Sequence, residues 1–162
     1  MSITDDTFKE LMKRFASGVT LITFENDGNY SGLTVSSFCS LSMNPPLILI
    51  CIDKKIPSHE SLKNNTHFGV NICTSEQGKL AWDFANSNVD KNELILSLNH
   101  NITENKVPLL NDCLASMECK IKETYEGGDH TIFVGQIEGG KFDEESDPLL
   151  YYKSGLGNFT PN

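Results

Sequence analysis

Read for its alternation of apolar and polar positions, the chain opens on a helix and then turns to strands. Phe8, Leu11, Met12 and Phe15 recur at three- and four-residue spacing, with Thr4 or Asp5 available as cap and Asp6 near the positive end. This helix is expected to stop at Gly18. "VTLITFE", "YSGLTVSSF" and "LILICID" then read as strands, the first two joined by the turn-like "NDGN" into a hairpin. The third follows Pro45-Pro46, a corner that fixes two backbone φ angles and removes two donors.

Beyond Ser58, a candidate cap for a short helix, "HFGVNIC" reads as a strand and "SEQGKLAWDFAN" as a helix begun at Thr74 or Ser75. Leu80, Ala81, Phe84 and Ala85 share one face of it. Residues 86–107 are Asn-rich and form a long excursion with a short helix through "KNELILSL". Sheet resumes in "LASMECKIKETYEG" and "DHTIFVGQIEGGKF", joined by a tight turn at Glu126-Gly127-Gly128-Asp129. The tail "PLLYYKSGLGNFTPN" is too apolar for a disordered end. About six strands with short connections and peripheral helices predict a closed or nearly closed antiparallel barrel. A doubly wound sheet is disfavoured, because strands and helices do not alternate and the only G-x-G, at Gly155 and Gly157, has no helix after it.

Length and charge narrow the partners. At 162 residues and 38% hydrophobic composition, the chain (1–162) is expected to form one domain that needs no metal or disulfide staple. A net charge of −9 with no basic stripe argues against nucleic acid. The amino terminus carries acidic residues where a secretory signal needs positive ones, and no window approaches a membrane span, so the expectation is a cytoplasmic protein. The five cysteines form neither C-x-x-C nor a Cys/His cluster and read as reduced core residues. The N-x-T triplets at Asn64, Asn101 and Asn158 are then composition only.

Chemistry concentrates in two places. Ser36 and Ser37 lie in a strand on opposite faces, Ser36 with Thr34 and Phe38, Ser37 with Val35 and Cys39. They could be hydroxyls at a wet barrel rim. The apolar sequence on both sides favours instead the polar edge of a flat heteroaromatic ligand lying across the strand. Asp53, Lys54, Lys55 and Ser58 form the second cluster, able to hold a phosphate through ammonium and hydroxyl groups or to stand as plain surface loop. His130 opens an apolar strand beside Asp129. His59, His67 and His100 show no metal-ligand spacing, so no metal site is expected, and a Ser-His-Asp hydrolase lacks its strand-to-helix elbow.

The runs "TFKELMKRFASGVTLIT", "GLTVSSFCSLSMNPPLILICID", "FGVNICTSEQGKLAWDFA", "PLLNDCLASMECKI" and "GGDHTIFVGQIEGG" follow one another as in the flavin reductase-like family, the short-chain NAD(P)H:flavin oxidoreductases. The likeness spans residues 8–152, and its most specific parts are T-x-S-S-F-x-S-L-S-x-x-P-P and G-D-H-T-x-F-x-G. What the resemblance implies is a mainly β fold, a six-stranded antiparallel split β-barrel of the Greek-key, FMN-binding type with peripheral helices, assembled as a homodimer. It implies FMN, with FAD as the variant, and NADH or NADPH as hydride donor, with reduced flavin passed to a partner monooxygenase or another acceptor. By position, Thr34, Val35, Ser36 and Ser37 would line the isoalloxazine, with Ser40 and Leu41 on the same wall. Cys51, Ile52 and Asp53 would flank the ring and ribityl chain, and Lys54 and Ser58 the phosphate. Asn71 and Phe84 would close the pocket, His130 would stand near nicotinamide and flavin, and Tyr152 would belong to the closing tail. The other class in play is an FMN-binding electron-transfer or flavin-carrying protein without nicotinamide activity, with a pyridoxamine-phosphate-type oxidase behind it.

Overall fold

A computed structural model describes residues 2–159. The triplet at Asn158 ends on Thr160, so it and the last residues of the tail lie outside the described residues.

Helix α1 (Asp5–Met12) is capped by Thr4, whose hydroxyl accepts from the Thr7 amide at 3.2 Å. It ends at Met12 rather than Gly18, because Ser17–Gly18 is taken into a short strand, β1. None of its residues is buried. Strands β2 (Thr20–Asn26) and β3 (Asn29–Val35) form the expected hairpin. Asp27 and Gly28 turn it at φ 51° and 84°, the left-handed pair that matches the twist of the flanking strands.

The serine run then breaks into two strands, not one. Ser36 and Ser37 form a corner, β4 (Phe38–Met43) follows, and after the Asn44-Pro45-Pro46 turn β5 (Pro46–Asp53) returns against it. Leu41 is bulged out between Ser40, opposite Ile48, and Ser42, opposite Leu47. Helix α2 (Pro57–Lys63) starts with Ile56 as cap and Pro57 in its first position, so Ser58 sits inside the first turn and does not cap it. Strand β6 (His67–Ile72) leads to a one-turn 3-10 helix at Ser75–Gln77, opened by a reciprocal Thr74/Gln77 capping box, and on to α3 (Gly78–Ala85). The Asn-rich excursion holds α4 (Lys91–Ser97), with β7 (His100–Ile102) antiparallel to β8 (Pro108–Leu110). The long hairpin β9 (Ala115–Gly127) and β10 (His130–Phe142) turns at Gly128 and Asp129, and β11 (Leu149–Tyr152) with β12 (Gly155–Asn158) ends the chain.

The main sheet has seven antiparallel strands in the order β3-β2-β6-β9-β10-β5-β4, one more than the expected six. The additional strand is β4, in which Cys39, Leu41 and Met43 alternate with Ser40 and Ser42 but stand exposed instead of entering the core. Its edge strands, β3 and β4, are consecutive in sequence and joined at Ser36-Ser37. One face of the sheet buries Ile22, Phe24, Leu33, Val35, Ile48, Ile50, Ile52, Phe68 and Phe133 in a common core. A second core, with Leu21, Ala81, Phe84, Ile95 and Leu110, fastens α3 and α4 to the sheet. Gly32 makes that docking possible. A Cβ there would stand 2.6 Å from Phe84 Cε1, so any larger residue would push α3 off β3. Among the described residues, no helix is long and apolar enough to cross a membrane.

Candidate active-site cleft

The outward face of β5 and β10 builds the floor of the site. Register pairs Leu49 with Val134, Cys51 with Ile132 and Asp53 with His130, while Ile48, Ile50 and Ile52 point the other way into the core. The Ser36-Ser37 corner folds onto this face. Cys51 N donates to Ser37 O at 3.2 Å, and Ser37 Oγ donates to Cys51 O at 2.7 Å. A hydroxyl that satisfies a neighbouring carbonyl this way keeps its lone pairs free for a ligand donor, and Ser36 beside it is exposed.

A cleft of about 690 Å³ opens above this floor. Ser36, Ser37, Cys39 and Cys51 line it with the apolar Phe38 and Leu49, under a roof of Phe8, Met12 and Phe15 from α1 and its exit. Lys9, Lys13 and Lys153 stand at its rim, an unusual gathering of cations in so acidic a chain. Ser36 and Tyr151 also line a second cavity of about 180 Å³, walled by Val19, Thr34, Ala81, Trp82, Ala85 and Leu156. The larger cleft has the size of a cofactor site, with apolar walls and a few convergent hydroxyls.

The expected site residues divide by strand parity. Ser36, Ser37 and Cys51 line the large cleft, and Thr34 lines the small cavity, its hydroxyl donating to Ala81 O at 2.5 Å. Asp53 and His130 extend the same outward face by one step. Ser40 and Leu41 are exposed on β4 and line neither cavity. Val35, Ile52 and Phe84 are core residues, and Asn71 is fully buried. Asn71 Nδ2 donates to Leu21 O at 3.0 Å and to Thr23 Oγ1 at 3.1 Å, and its Oδ1 accepts from the Leu110 amide at 2.8 Å. It ties three strands together. Ser58 is half-buried in α2, away from both cavities. In the tail, Tyr151 lines both cavities, whereas Tyr152 faces the opposite side, with the Lys153 ammonium 5.2 Å from its ring centre.

Two electrostatic contacts fix the end of the floor. Lys54 donates to the Glu126 carboxylate and, at 2.7 Å, to Gly128 O, clasping the β9-β10 turn. That contact holds the Glu126 carboxyl below its ordinary range. His130 Nδ1 lies 2.8 Å from Asp129 Oδ1, and this hydrogen bond in turn lowers the Asp129 carboxyl. With Asp129 ionised, Nδ1 carries the shared hydrogen and Nε2 remains for other partners. Among the described residues, no group of three or more His, Cys, Asp and Glu could hold a metal ion.

Sequence reading did not reach Tyr151, Trp82, the rim lysines or the α1 roof. The periodic stripe Phe8, Met12, Phe15 predicts a buried face, but periodicity does not distinguish a core from a cleft. The structure leaves that stripe exposed, with Phe15 at 77%.

The family model for the flavin reductase-like domain matches residues 12–160. The reductase component of a 4-nitrophenol 4-monooxygenase/4-nitrocatechol 2-monooxygenase of Rhodococcus opacus is 34% identical over 154 residues, covering 95% of this chain and 80% of that protein. An NADH-dependent FMN reductase of Agrobacterium fabrum is 29% identical over 154 residues, 95% of this chain and 86% of its own. Among solved structures, an NADH:FAD oxidoreductase of Streptomyces globisporus, in complex with NAD and FAD fragments, superimposes with a TM-score of 0.89 at 30% identity, covering 100% of this chain and 99% of that one. With its serine corner, its histidine turn and its match along nearly the whole described length, the chain belongs to the flavin reductase-like domain family.

Proposed function

We propose that this flavin reductase takes FMN into the cleft above the Ser36-Ser37 corner, reduces it with NADH or NADPH, and releases it to a separate monooxygenase component. The observation that carries the reading is the placement of two hydroxyl groups, at a break between strands, on the floor of a cleft with an apolar roof and a lysine-bearing rim. The relatives support the donor, the flavin and the partner: one uses NADH with FMN, one NADH with FAD, and one is a monooxygenase reductase component.

When bound, the flavin supplies the redox chemistry, accepting a hydride from the nicotinamide and handing its electrons on. The chain's contribution is placement. Ser36 and Ser37 meet the polar edge of a flat ring, Phe38, Leu49 and Tyr151 supply the apolar surface along it, and the α1 roof excludes water. Cys51 and Asp53 continue the floor toward His130. His130 Nε2, with its tautomer set by Asp129, orients the nicotinamide or steadies negative charge at that end. For the phosphate, Ser58 and Lys54 are one end of the search and the rim lysines the other. Lys54 already holds Glu126 and Gly128, and Lys13 holds Glu10 at 2.7 Å, which favours Lys9 and Lys153 of the rim.

Two finer readings accompany this one. Closure of the sheet into a split barrel is supported by Leu33 and Val35 of β3 sharing one core cluster with Ile48, Ile50 and Ile52 of β5. A homodimer is supported by the exposed apolar side chains Phe8, Leu11, Met12 and Phe15, too contiguous a surface to leave in water. Light scattering at micromolar concentration should then give about twice the 18.0 kDa of one chain. A mass near the single chain would remove the dimer.

The direct test is an anaerobic steady-state assay with NADH and then NADPH against added FMN. Sustained nicotinamide oxidation is expected. Flavin binding without reduction by either donor would leave a flavin-carrying protein. In a parallel fluorescence titration FMN should bind at least about tenfold more tightly than riboflavin, about 1.4 kcal/mol. Equal affinities would discard a phosphate site both at the rim and at Lys54 and Ser58.

A further inference from the structure

The five cysteines separate into two populations. Cys73, Cys113 and Cys119 are buried, and burial pushes their thiols up to about 12, 11 and 12. Cys39 is exposed and Cys51 partly so, and both line the large cleft. Their relative position follows from register. Cys39 pairs with Leu49, and Ser37 is hydrogen-bonded to Cys51, so Ser37, Cys39, Leu49 and Cys51 form a four-cornered patch with the two thiols on its diagonal. The Cys51 thiol is raised first by burial and then by Cys39, as expected of neighbours.

The diagonal decides what such a pair can do. Diagonal neighbours across antiparallel strands have Cβ atoms somewhat under about 7 to 8 Å apart. A disulfide needs Cβ atoms about 3.5 to 4.5 Å apart and does not span that gap. Two metal-sulfur bonds of about 2.3 Å each add enough reach to bridge it. The surroundings select the ion. Among the described residues no carboxylate or imidazole lines the cleft, so a hard cation or tetrahedral zinc would lack ligands. Among the described residues the charged groups lining the cleft are Lys9 of α1, Lys13 at its C-terminal cap, which also pairs with Glu10, and Lys153 of the tail; Lys9 and Lys153 favour the negative charge of a bis-thiolate complex.

We propose that Cys39 and Cys51 form a two-thiolate site for a soft monovalent cation, copper(I) in type, on the floor of the cleft. Each thiol gives up its proton, the ion forms two bonds to sulfur, and no electron is transferred. Because two protons leave, affinity should climb toward about a hundredfold per pH unit below the thiol range. Occupancy and flavin exclude one another, a consequence that rests on the flavin placement proposed above.

The test titrates cuprous ion anaerobically into the flavin-free 162-residue chain against a coloured copper(I) chelator. One ion per chain is expected, with Cys39→Ser and Cys51→Ser each weakening binding at least a hundredfold. In native protein, two of the five thiols should react rapidly with a disulfide reagent. An oxidant such as diamide should leave this pair unbridged. First-ion affinity unchanged by either serine substitution, or a Cys39-Cys51 disulfide formed under diamide, would overturn the site. Riboflavin and FMN titrated into the copper-loaded chain separate the two readings: one-ion binding with undiminished flavin affinity upholds the thiolate site and removes flavin from this floor.

Discussion

Replacing His130 by alanine is expected to lower turnover with reduced nicotinamide by about 10- to 100-fold, while flavin affinity stays within about threefold. The first half follows from where the ring sits. His130 is opposite Asp53 on the outward face of the sheet, one step beyond Cys51 on the cleft floor, and is about half-exposed. Its bond to Asp129 fixes the tautomer, and oriented donors at a reacting centre are worth about 1.4 to 2.7 kcal/mol of barrier at these factors. The second half follows because His130 does not line the cleft itself, and no buried partner loses a hydrogen bond when it goes. Because the Asp129 carboxyl lies below its ordinary value, the pairing persists through neutral pH and weakens only as pH falls through that lowered value. The measurement is anaerobic steady-state kinetics beside a flavin titration, with His130→Gln as the variant that restores a donor. Wild-type turnover in His130→Ala would reduce the residue to a turn position.

What the sequence revealed of this site, and what it concealed, both trace to range. The α1 periodicity, the Asn26–Asn29 hairpin and the turn before His130 are encoded within a few residues; the hairpin and the turn form as expected, and α1 forms but stops at Met12, short of Gly18. The serine corner was less legible: "YSGLTVSSF" reads as one strand, and the break between β3 and β4 comes where Ser37 bonds Cys51 of β5, fourteen positions on. β4 was missed although Cys39, Leu41 and Met43 alternate with Ser40 and Ser42, and that alternation turns its apolar side chains outward rather than into the core. Lys54 reads as a free cation at a strand end, yet its partner Glu126 lies 72 positions away and is brought near only by the pairing of β5 with β10. The tail shows the limit most sharply. Two adjacent tyrosines differ only in parity, and the pairing of Ser17 with Tyr151 sets which of them enters the cleft. Nothing local to "LLYY" carries that information.

Asn71 gives the second large effect, in stability rather than rate. Position in the family motif suggests a residue that closes the pocket, but the side chain is fully buried and spends its hydrogen-bonding capacity on β2 and β8. Asn71→Ala removes three hydrogen bonds at once. It leaves the Leu110 amide and the Leu21 carbonyl short of a partner in an interior that water does not reach. Each net bond contributes about 1 kcal/mol, and each stranded polar group costs about 1 to 3 kcal/mol. A loss of roughly 3 to 5 kcal/mol is therefore expected, against a total of about 5 to 15 kcal/mol for a domain of ordinary stability. Asn71→Asp, which keeps the acceptor, should lose much of the same amount, since a carboxylate cannot donate to Leu21 O and its charge would be buried unpaired. Urea unfolding of the flavin-free chain measures the loss, and a flavin titration of the fraction still folded at low temperature measures the site. Near-native flavin affinity together with the lowered midpoint is the expected pair of results. Full stability with weakened flavin binding would instead mean that Asn71 reaches the ligand, and would move the site across the sheet from β5 toward β6, past β10 and β9.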